Sequence, residues 1–536
     1  MNSKQSRMSM VWAAVLACGI WLSACGGASQ PSASSGVKEG SEKPVLTFWA
    51  ALNGNASSVV KSLDDIPMVQ EWQRRTHVDF QFIHPVSTSN SDVMQQFNVM
   101  LASNELPDVM QLQWTGIQGG AAKMYNDGTI LKLNDLIEAH APNLKKIIEE
   151  YPSIAKQLMA DNGDIYVFPD LKVGEYGKYK TFAGLMIRQD WLDELGLPQP
   201  ETVDEWEAAL RTIKEKKGII PFTANKNRLF GTKDSSDFLG AYGLGQSFYV
   251  DNGKVKYGPM EPRFKDYLVR MQSWYKEGLI DPDYATNDSK LMDSRVSSGQ
   301  AAAFFGYIGS SMGTYVPALQ QADPAARLAA VQFPVLNKGE QPLFVPSQWE
   351  FTGIGAVLSA TNKHPEETIK ALDYLFSPEG SMLKNFGIEG ETYTLENGQP
   401  IYTDLILNNP DNLSVSQAMA KYFIANYSFI GPADDRYNDQ YYTIPEQKEA
   451  IKRYAEYADN AYRVMMPPVS LTTVEADEFG SIMNDIETYR SEFVTKIIMG
   501  SEPVASFDTM VAQFEKMKIG RAIEIQQAAL DRYNSR

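Results

Sequence analysis

Between Val45 and Leu112 the chain switches four times between the hydrophobic period of a strand and that of a helix, and this switching restricts the fold more than any other feature. Val45-Leu46-Thr47-Phe48-Trp49-Ala50 is a short apolar run of the kind that forms a buried strand. Ile66 to Arg75 carries a helical pattern, and Val78-Asp79-Phe80-Gln81-Phe82 then alternates with period two. Ser91 to Ala102 spaces Val93, Met94, Phe97, Met100 and Leu101 by threes and fours, which predicts an amphipathic helix. After Pro107, Asp108 to Leu112 reads as a third strand. Strand, helix, strand, helix, strand predicts an α/β protein built on a parallel sheet with right-handed crossovers.

The body continues in the same mixed style. Ile165 to Phe168 follows the turn Asp161-Asn162-Gly163-Asp164 and reads as a strand, as does Ala183 to Leu192 running out into a loop. Thr202 and Glu205 have the spacing of a capping box, opening a helix to Lys216. Val250 to Val255 is a hairpin by its Asn-Gly turn. Phe264 to Glu277 reads as a helix, and Ala301–Phe305 and Gly353–Leu358 as buried strands. Pro365 to Phe376 reads as a helix with Pro and two Glu in its first turn. Phe479, Ile482, Ile486, Tyr489, Phe493 and Ile497 mark a long helix that Gly500 closes, and Phe507 to Tyr533 holds two shorter ones. No period of a solenoid or propeller is present. The length favours two or more domains, and no low-complexity linker interrupts the body. The lobes are therefore expected to exchange chain several times.

The amino terminus is of another kind. Lys4 and Arg7 precede the apolar run Met10–Leu22, which is shorter than the roughly 20 residues a spanning helix needs. It exits through Leu22-Ser23-Ala24-Cys25, which resembles a bacterial lipobox; the competing Val15-Leu16-Ala17-Cys18 fits the small-residue rule less well. Cys25 is the expected lipidation site, and cleavage before it removes Cys18, leaving no partner for a disulfide. Gly26 to Lys43 has too few bulky side chains to offset its ordering entropy and reads as a flexible tether.

The formal charge of the 536-residue chain is −17, and the signal carries away two cations and no acid, leaving the body near −19. That argues against nucleic acid and against docking on anionic lipid, so the expected membrane contact is the anchor alone. Four histidines and no remaining cysteine leave little material for a transition-metal site, and no cofactor is expected.

Several aromatics stand where a predicted strand meets a loop: Trp49, Trp114, Tyr307 and, just before a strand, Trp349. Ligands of open α/β sheets collect at carboxyl ends of strands, and an aromatic ring there suits the apolar face of a sugar. Core packing is the competing reading for each ring taken singly.

The sequence resembles the extracellular solute-binding proteins of family 1, the lipoprotein receptors of carbohydrate ABC importers, in the subgroup of alginate-oligosaccharide binders and LipO-like lipoproteins. The resemblance rests on "VLTFWA" (45–50), "ELPDVM" (105–110), "DNGDIYVFPDL" (161–171), "MIRQDWLDELGLPQPETVDEW" (186–206), "YVDNGKVKYGPMEPRFKDYL" (249–268), "YKEGLIDPDYAT" (275–286), "GQAAAFFGYIG" (299–309) and "FGIEGETYTLENGQP" (386–400), in this order behind the lipobox. It implies a two-lobed periplasmic-binding-protein-like fold of type II, the lobes joined by crossing hinge segments. The expected division is signal peptide 1–24, tether 25–44, first lobe 45–182 with 357–395, and second lobe 183–356 with 396–536 including a helical carboxy-terminal part.

By the same resemblance Trp49, Asn53 and Trp114 correspond to ligand-facing positions of the first lobe and Tyr307 to the stacking aromatic of the second. Arg188, Tyr242, Trp349 and Glu391 join the expected ligand-binding set, although Arg188 has Asp190 beside it as a structural partner. Tyr422, Tyr427 and Tyr441 are divided between cleft and packing, and Trp274 is expected in the core. Many members of the subgroup hold calcium in an EF-hand-like loop after the helix that corresponds to 205–216. Here Arg211 to Phe222 lacks oxygen ligands at alternating positions, so no metal is expected.

The implied function is a non-catalytic receptor, monomeric and lipid-anchored on the extracellular face of the cytoplasmic membrane, which captures an oligosaccharide for ABC permease subunits. Two other readings stand beside it. One is a receptor for peptides or another small solute. The other is a surface glycoside hydrolase, which would need two carboxylates about 5–10 Å apart in a sugar cleft.

Overall fold

The pattern at 45–112 folds as expected, as the parallel start of a larger sheet. In chain order the strands are β1 (Val45–Trp49), β2 (Asp79–Ile83), β3 (Val109–Gln113), β4 (Phe168–Leu171), β5 (Ala183–Arg188), β6 (Ile220–Phe222) and β7 (Phe248–Asp251). They continue with β8 (Lys254–Tyr257), β9 (Ala301–Tyr307), β10 (Leu328–Val331), β11 (Phe351–Leu358), β12 (Tyr393–Glu396), β13 (Gln399–Tyr402) and β14 (Gly431–Pro432). The computed structural model describes residues 43–536 except 87–89, 115, 116, 118, 175, 176, 178, 179, 226–228, 230–236, 426 and 427. The signal, Cys25, the tether up to residue 42 and Tyr427 thus lie outside the described residues.

The first sheet has the order β14-β4-β11-β3-β1-β2 and the second β10-β5-β9-β6; β7–β8 and β12–β13 are hairpins. β1 runs parallel to β2 and β3, whereas β11 enters antiparallel between β3 and β4. The sheet is therefore mixed where the sequence pattern suggested a parallel one. β11 arrives from the second sheet without a crossover helix, so it has no means of reversing direction.

Both faces of β1 are covered, as an interior strand requires. On one face Phe48 meets Phe80 edge-on at 5.5 Å and stacks on Phe429 at 5.9 Å. Trp72, in the helix Pro67–Thr76, stacks 4.7 Å from Phe80 and donates its indole N–H to the Ala371 carbonyl at 2.8 Å. That bond ties in the helix Pro365–Tyr374. On the other face Phe97, from the helix Asn90–Ser103, lies between Trp49 and Trp114 at 6.0 and 5.9 Å. Each such fully buried side chain contributes roughly 1.5–3 kcal/mol.

Two strand assignments shift. Ile165–Val167 is buried but not laddered, because the Ile165 N–H donates to Asn134 Oδ1 and its carbonyl accepts from Leu133, so its backbone groups are already taken. The strand begins at Phe168 instead, where Gly355 of β11 approaches so closely that a Cβ there would sit 2.3 Å from the Phe168 carbonyl oxygen. The strand from Ala183 ends at Arg188 and a helix, Gln189–Glu194, follows rather than a loop.

The capping box is present: Thr202 Oγ1 accepts from the Glu205 N–H at 3.2 Å, and the Glu205 carboxylate accepts from the Thr202 N–H at 3.1 Å. The helix it opens, Val203–Lys217, ends at Gly218 with φ 67° and passes directly into β6. Trp274 is fully buried in the core of the second sheet, 4.9 Å from Phe238.

The chain passes between the sheets three times. Residues 172–182 lead from β4 to β5, and 332–350 from β10 to β11. The third passage, 433–444, leads from β14 to the helix Pro445–Ala455, which packs on β10. Tyr454 of that helix donates its hydroxyl to the Leu185 carbonyl at 2.6 Å.

Candidate functional site

Strand direction determines which sheet edges meet. β3 and β4 both run antiparallel to β11, so the ends of β1, β3 and β4 share one edge of the first sheet with the start of β11. In the second sheet Ala183 pairs with Tyr307, which puts the start of β5 at the same edge as the end of β9; β6, parallel to β9, ends there too. The three passages join these two edges, and their convergence is the candidate site.

Tyr307 is an aromatic that this arrangement leaves exposed. Ala301 to Gly306 are buried, and Tyr307, the last residue of the strand, is 52% exposed. The turn beyond it is held in place: Gln447 Nε2 donates to the carbonyls of Ile308 and Gly309 at 2.9 and 3.2 Å, and the Tyr307 N–H donates to Ser311 Oγ at 3.0 Å. The Tyr441 ring lies against Gly309, where a Cβ would come within 2.2 Å of it. Tyr441 thus packs and supports the turn, and Tyr422 is half-buried.

Trp349 stands on the second passage, half-buried, with its indole N–H donating to the Met466 carbonyl at 3.0 Å and its ring 4.9 Å from Tyr462. Trp49 and Trp114 lie at the joined edge but are packed on Phe97, and the Trp114 indole donates to the Gly355 carbonyl at 2.9 Å. Asn53 caps the short helix Gly54–Ser57, its Oδ1 accepting from the Ala56 N–H at 2.8 Å. Its amide nitrogen makes no hydrogen bond among the described residues.

Three of the expected residues lie elsewhere. Arg188 ends β5 at the edge away from Tyr307, where it is buried, bonded to Asp190 at 2.8 and 2.6 Å and to Asp323 at 3.3 Å, and stacked 3.9 Å over Trp191. Tyr242 is buried against Tyr267, ring centroids 5.8 Å apart. Glu391 is an exposed side chain on the turn before β12, in no ion pair among the described residues.

The passages also carry charges that no pattern marked. The Lys180 ammonium donates to the Lys172 carbonyl at 2.6 Å, and the Lys172 N–H donates to the Glu350 carbonyl at 2.8 Å, joining the first passage to the second. Burial holds Lys180 below the usual lysine range, against the pull of Glu350, Asp435 and Asp459. One layer deeper, Lys384 Nζ donates to the carbonyls of Phe429 and Gly431 at 2.9 and 2.8 Å and faces Asp170 at 3.6 Å. Burial brings this ammonium down to about 8, and burial likewise pushes the Asp170 carboxyl up. The one sequence signal for Lys384 is its position beside Gly380 and Leu383 on the buried stripe of the helix Pro378–Phe386. Lys180 had none.

Among the described residues no group of three or more His, Cys, Asp or Glu side chains is disposed to hold a metal ion, and no helix is long and apolar enough to cross a membrane.

Comparison with known proteins places this geometry. The sequence profile of the bacterial extracellular solute-binding proteins matches residues 64–382. The fructooligosaccharide ABC transporter substrate-binding protein FusA of Streptococcus pneumoniae serotype 4 is 24% identical, over 96% of each chain. Lipoprotein LipO of Bacillus subtilis strain 168 is 23% identical, over 95% of this chain and 96% of its own. The crystal structure of the alginate-binding protein AlgQ2 without calcium ion superposes with a TM-score of 0.76 at 25% identity, over 91% of this chain and 98% of that one.

Proposed function

The chain belongs to the bacterial extracellular solute-binding proteins, and on that premise we propose that it captures an oligosaccharide between two lobes and hands it unchanged to an ABC permease. The observation that carries the ligand class is Tyr307: an exposed ring at the end of an otherwise buried strand, at the sheet edge that the passages join. A ring held there stacks on the C–H face of a sugar, while the polar groups around it take the hydroxyls. The names of FusA and AlgQ2, a fructooligosaccharide protein and an alginate-binding one, support a saccharide.

The lobes are drawn around the two sheets and divided at the three passages. Sugar that touches both edges favours the closed arrangement of the lobes, and the permease reads that arrangement. Members of this family are binding proteins that act outside the cytoplasm. The lipid on Cys25 then holds the body at the membrane through the tether, since a diacylated and acylated terminus meets the need for more than one chain. LipO, a lipoprotein by name, supports that reading.

A thermal-shift panel of oligosaccharides and peptides tests the ligand class. A ligand at 100 times its dissociation constant adds about 2.7 kcal/mol of stability. Oligosaccharides are expected to raise the melting midpoint and to be recovered with no new reducing ends. A rise with peptides alone overturns the reading. Replacing Cys25 with Ala is expected to release the chain from the membrane fraction.

A further inference from the structure

Two glycines follow Tyr307 where backbone conformation does not call for them. Gly309 lies in the π-helical turn Ile308–Met312, Gly313 opens the helix Gly313–Ala322, and neither has a positive φ. In helical backbone alanine is the more stable choice, so what these positions supply is room. A Cβ on Gly309 would come within 2.2 Å of the Tyr441 ring, and one on Gly313 within 2.9 Å of Gln447 Nε2. Tyr441 is on the third passage, and Gln447 is in the first turn of the helix Pro445–Ala455 that follows it. The turn beyond Tyr307 is thus cleared of side chain at two points to admit one segment remote in sequence. Turns of the π-helical kind are rare and are frequent at functional sites.

Gln447 is sealed from solvent, and its amide is committed at both ends. Nε2 donates to the carbonyls of Ile308 and Gly309, and Oε1 accepts from the Ile444 N–H at 3.3 Å. The Ile308 N–H in turn donates to the carbonyl of Phe182, the last residue of the first passage, at 2.9 Å. The two peptide groups that flank Ile308 are therefore held by Phe182 at one and by Gln447 at the other. Tyr307 stands immediately before them with its ring half exposed. Its backbone is fixed from outside its own strand, which leaves the ring preorganised: a group already held in place loses less freedom when a ligand stacks on it.

We propose that Gln447 is a positioning residue for ligand binding: by holding the turn at Ile308 and Gly309 it sets the place of the Tyr307 ring, and it acts through that ring alone. This rests on the reading that Tyr307 stacks on a sugar and names the residue that holds it ready.

A double-mutant cycle on affinity tests it, by calorimetric titration of the purified full-length chain. The probe is whichever of a set of fructo-, malto-, galacto- and alginate oligosaccharides binds the wild type most tightly. Gln447→Met keeps the side chain's bulk and removes its amide, and is expected to weaken binding about tenfold. In the Tyr307→Ala background the same change is expected to cost less than about twofold. The melting midpoint should fall by the same amount in both backgrounds, so a merely structural role would not produce the difference in affinity. Gly313→Ala crowds the same amide without removing a polar group, and is expected to cost about threefold, again only where Tyr307 is present. It takes the place of Gln447→Met in the cycle if that variant does not fold. Equal losses with and without the Tyr307 ring overturn the proposal, and so does wild-type affinity in Gln447→Met and Gly313→Ala. If Tyr307→Ala alone binds as wild type does, or if no saccharide binds, the reading of Tyr307 as the sugar platform itself fails, and the proposal falls with it.

Discussion

Lys384 Nζ lies 3.6 Å from Asp170 Oδ1, and both side chains are sealed from solvent where all three passages meet the first sheet. Asp170 is the penultimate residue before the first passage. Its carboxylate accepts from Thr352 Oγ1 at 3.0 Å, just after the second. Lys384 holds the carbonyls of Phe429 and Gly431, just before the third. One buried pair thus fixes the roots of every segment on which the lobes would hinge.

Removing one member of that pair leaves a buried charge without its partner, at a cost of about 3–5 kcal/mol. Lys384→Met and Asp170→Asn should each lower the unfolding free energy by that order, and the double variant by clearly less than the sum. Denaturant melts of the four chains measure the coupling, and strict additivity would show that the pair does not act as a unit.

The same lysine makes stability depend on alkaline pH. Burial brings its ammonium down to about 8 in the folded chain from the ordinary 10.5, so between these limits the unfolded chain binds more protons and stability rises with pH. Below pH 8 the full burial penalty stands. Wild type should therefore gain on Lys384→Met by roughly 3 kcal/mol across this window. A difference that stays flat from neutral to alkaline pH refutes the assignment.

Tyr307 should separate binding from folding. Its ring is half exposed and supports no core, so Tyr307→Ala is expected to leave the melting midpoint within a degree or two (a change below about 0.5 kcal/mol). Ligand affinity should fall by roughly 10- to 100-fold, the scale of losing an anchoring aromatic. Equal affinity in the variant removes Tyr307 from the site.

Gly309 behaves in the opposite way. A methyl group at Gly309 meets the Tyr441 ring at 2.2 Å, so Gly309→Ala must push the ring or the turn aside. A loss of about 1–3 kcal/mol is expected from overpacking, with weaker ligand binding because the turn carries Tyr307. Gly309→Ala combined with Tyr441→Phe should fare no better, since it is the ring and not the hydroxyl alone that stands in the way.

Arg188 is structural. Arg188→Met should destabilise by about 3–5 kcal/mol through the stranded Asp190, yet the folded fraction should bind ligand as wild type does. Loss of affinity at unchanged stability would return Arg188 to the cleft.

What could be read from the sequence were features set by neighbours along the chain. The β–α alternation over 45–112, the Thr202/Glu205 capping box and the Asn252-Gly253 hairpin turn each depend on residues a few positions apart, and each appears where the pattern put it. The strand ending at Tyr307 was legible for the same reason: an unbroken small and apolar run must be buried, and its last residue meets the edge.

Contacts between distant residues were not legible. Whether a strand-end aromatic shows its face or loses it depends on what arrives from elsewhere: Phe97 covers Trp49 and Trp114, while nothing among the described residues packs its ring against Tyr307. Asp170 and Lys384 are separated by more of the chain than a whole sheet, and the two passages that Lys180 and Glu350 stand on belong to different crossings. Local order along this chain follows from side-chain periodicity and hydrogen bonds between near neighbours. The buried Lys384–Asp170 pair arises only when separate segments are brought to one place, because electrostatic and packing energies depend on distance in space and not on distance in sequence.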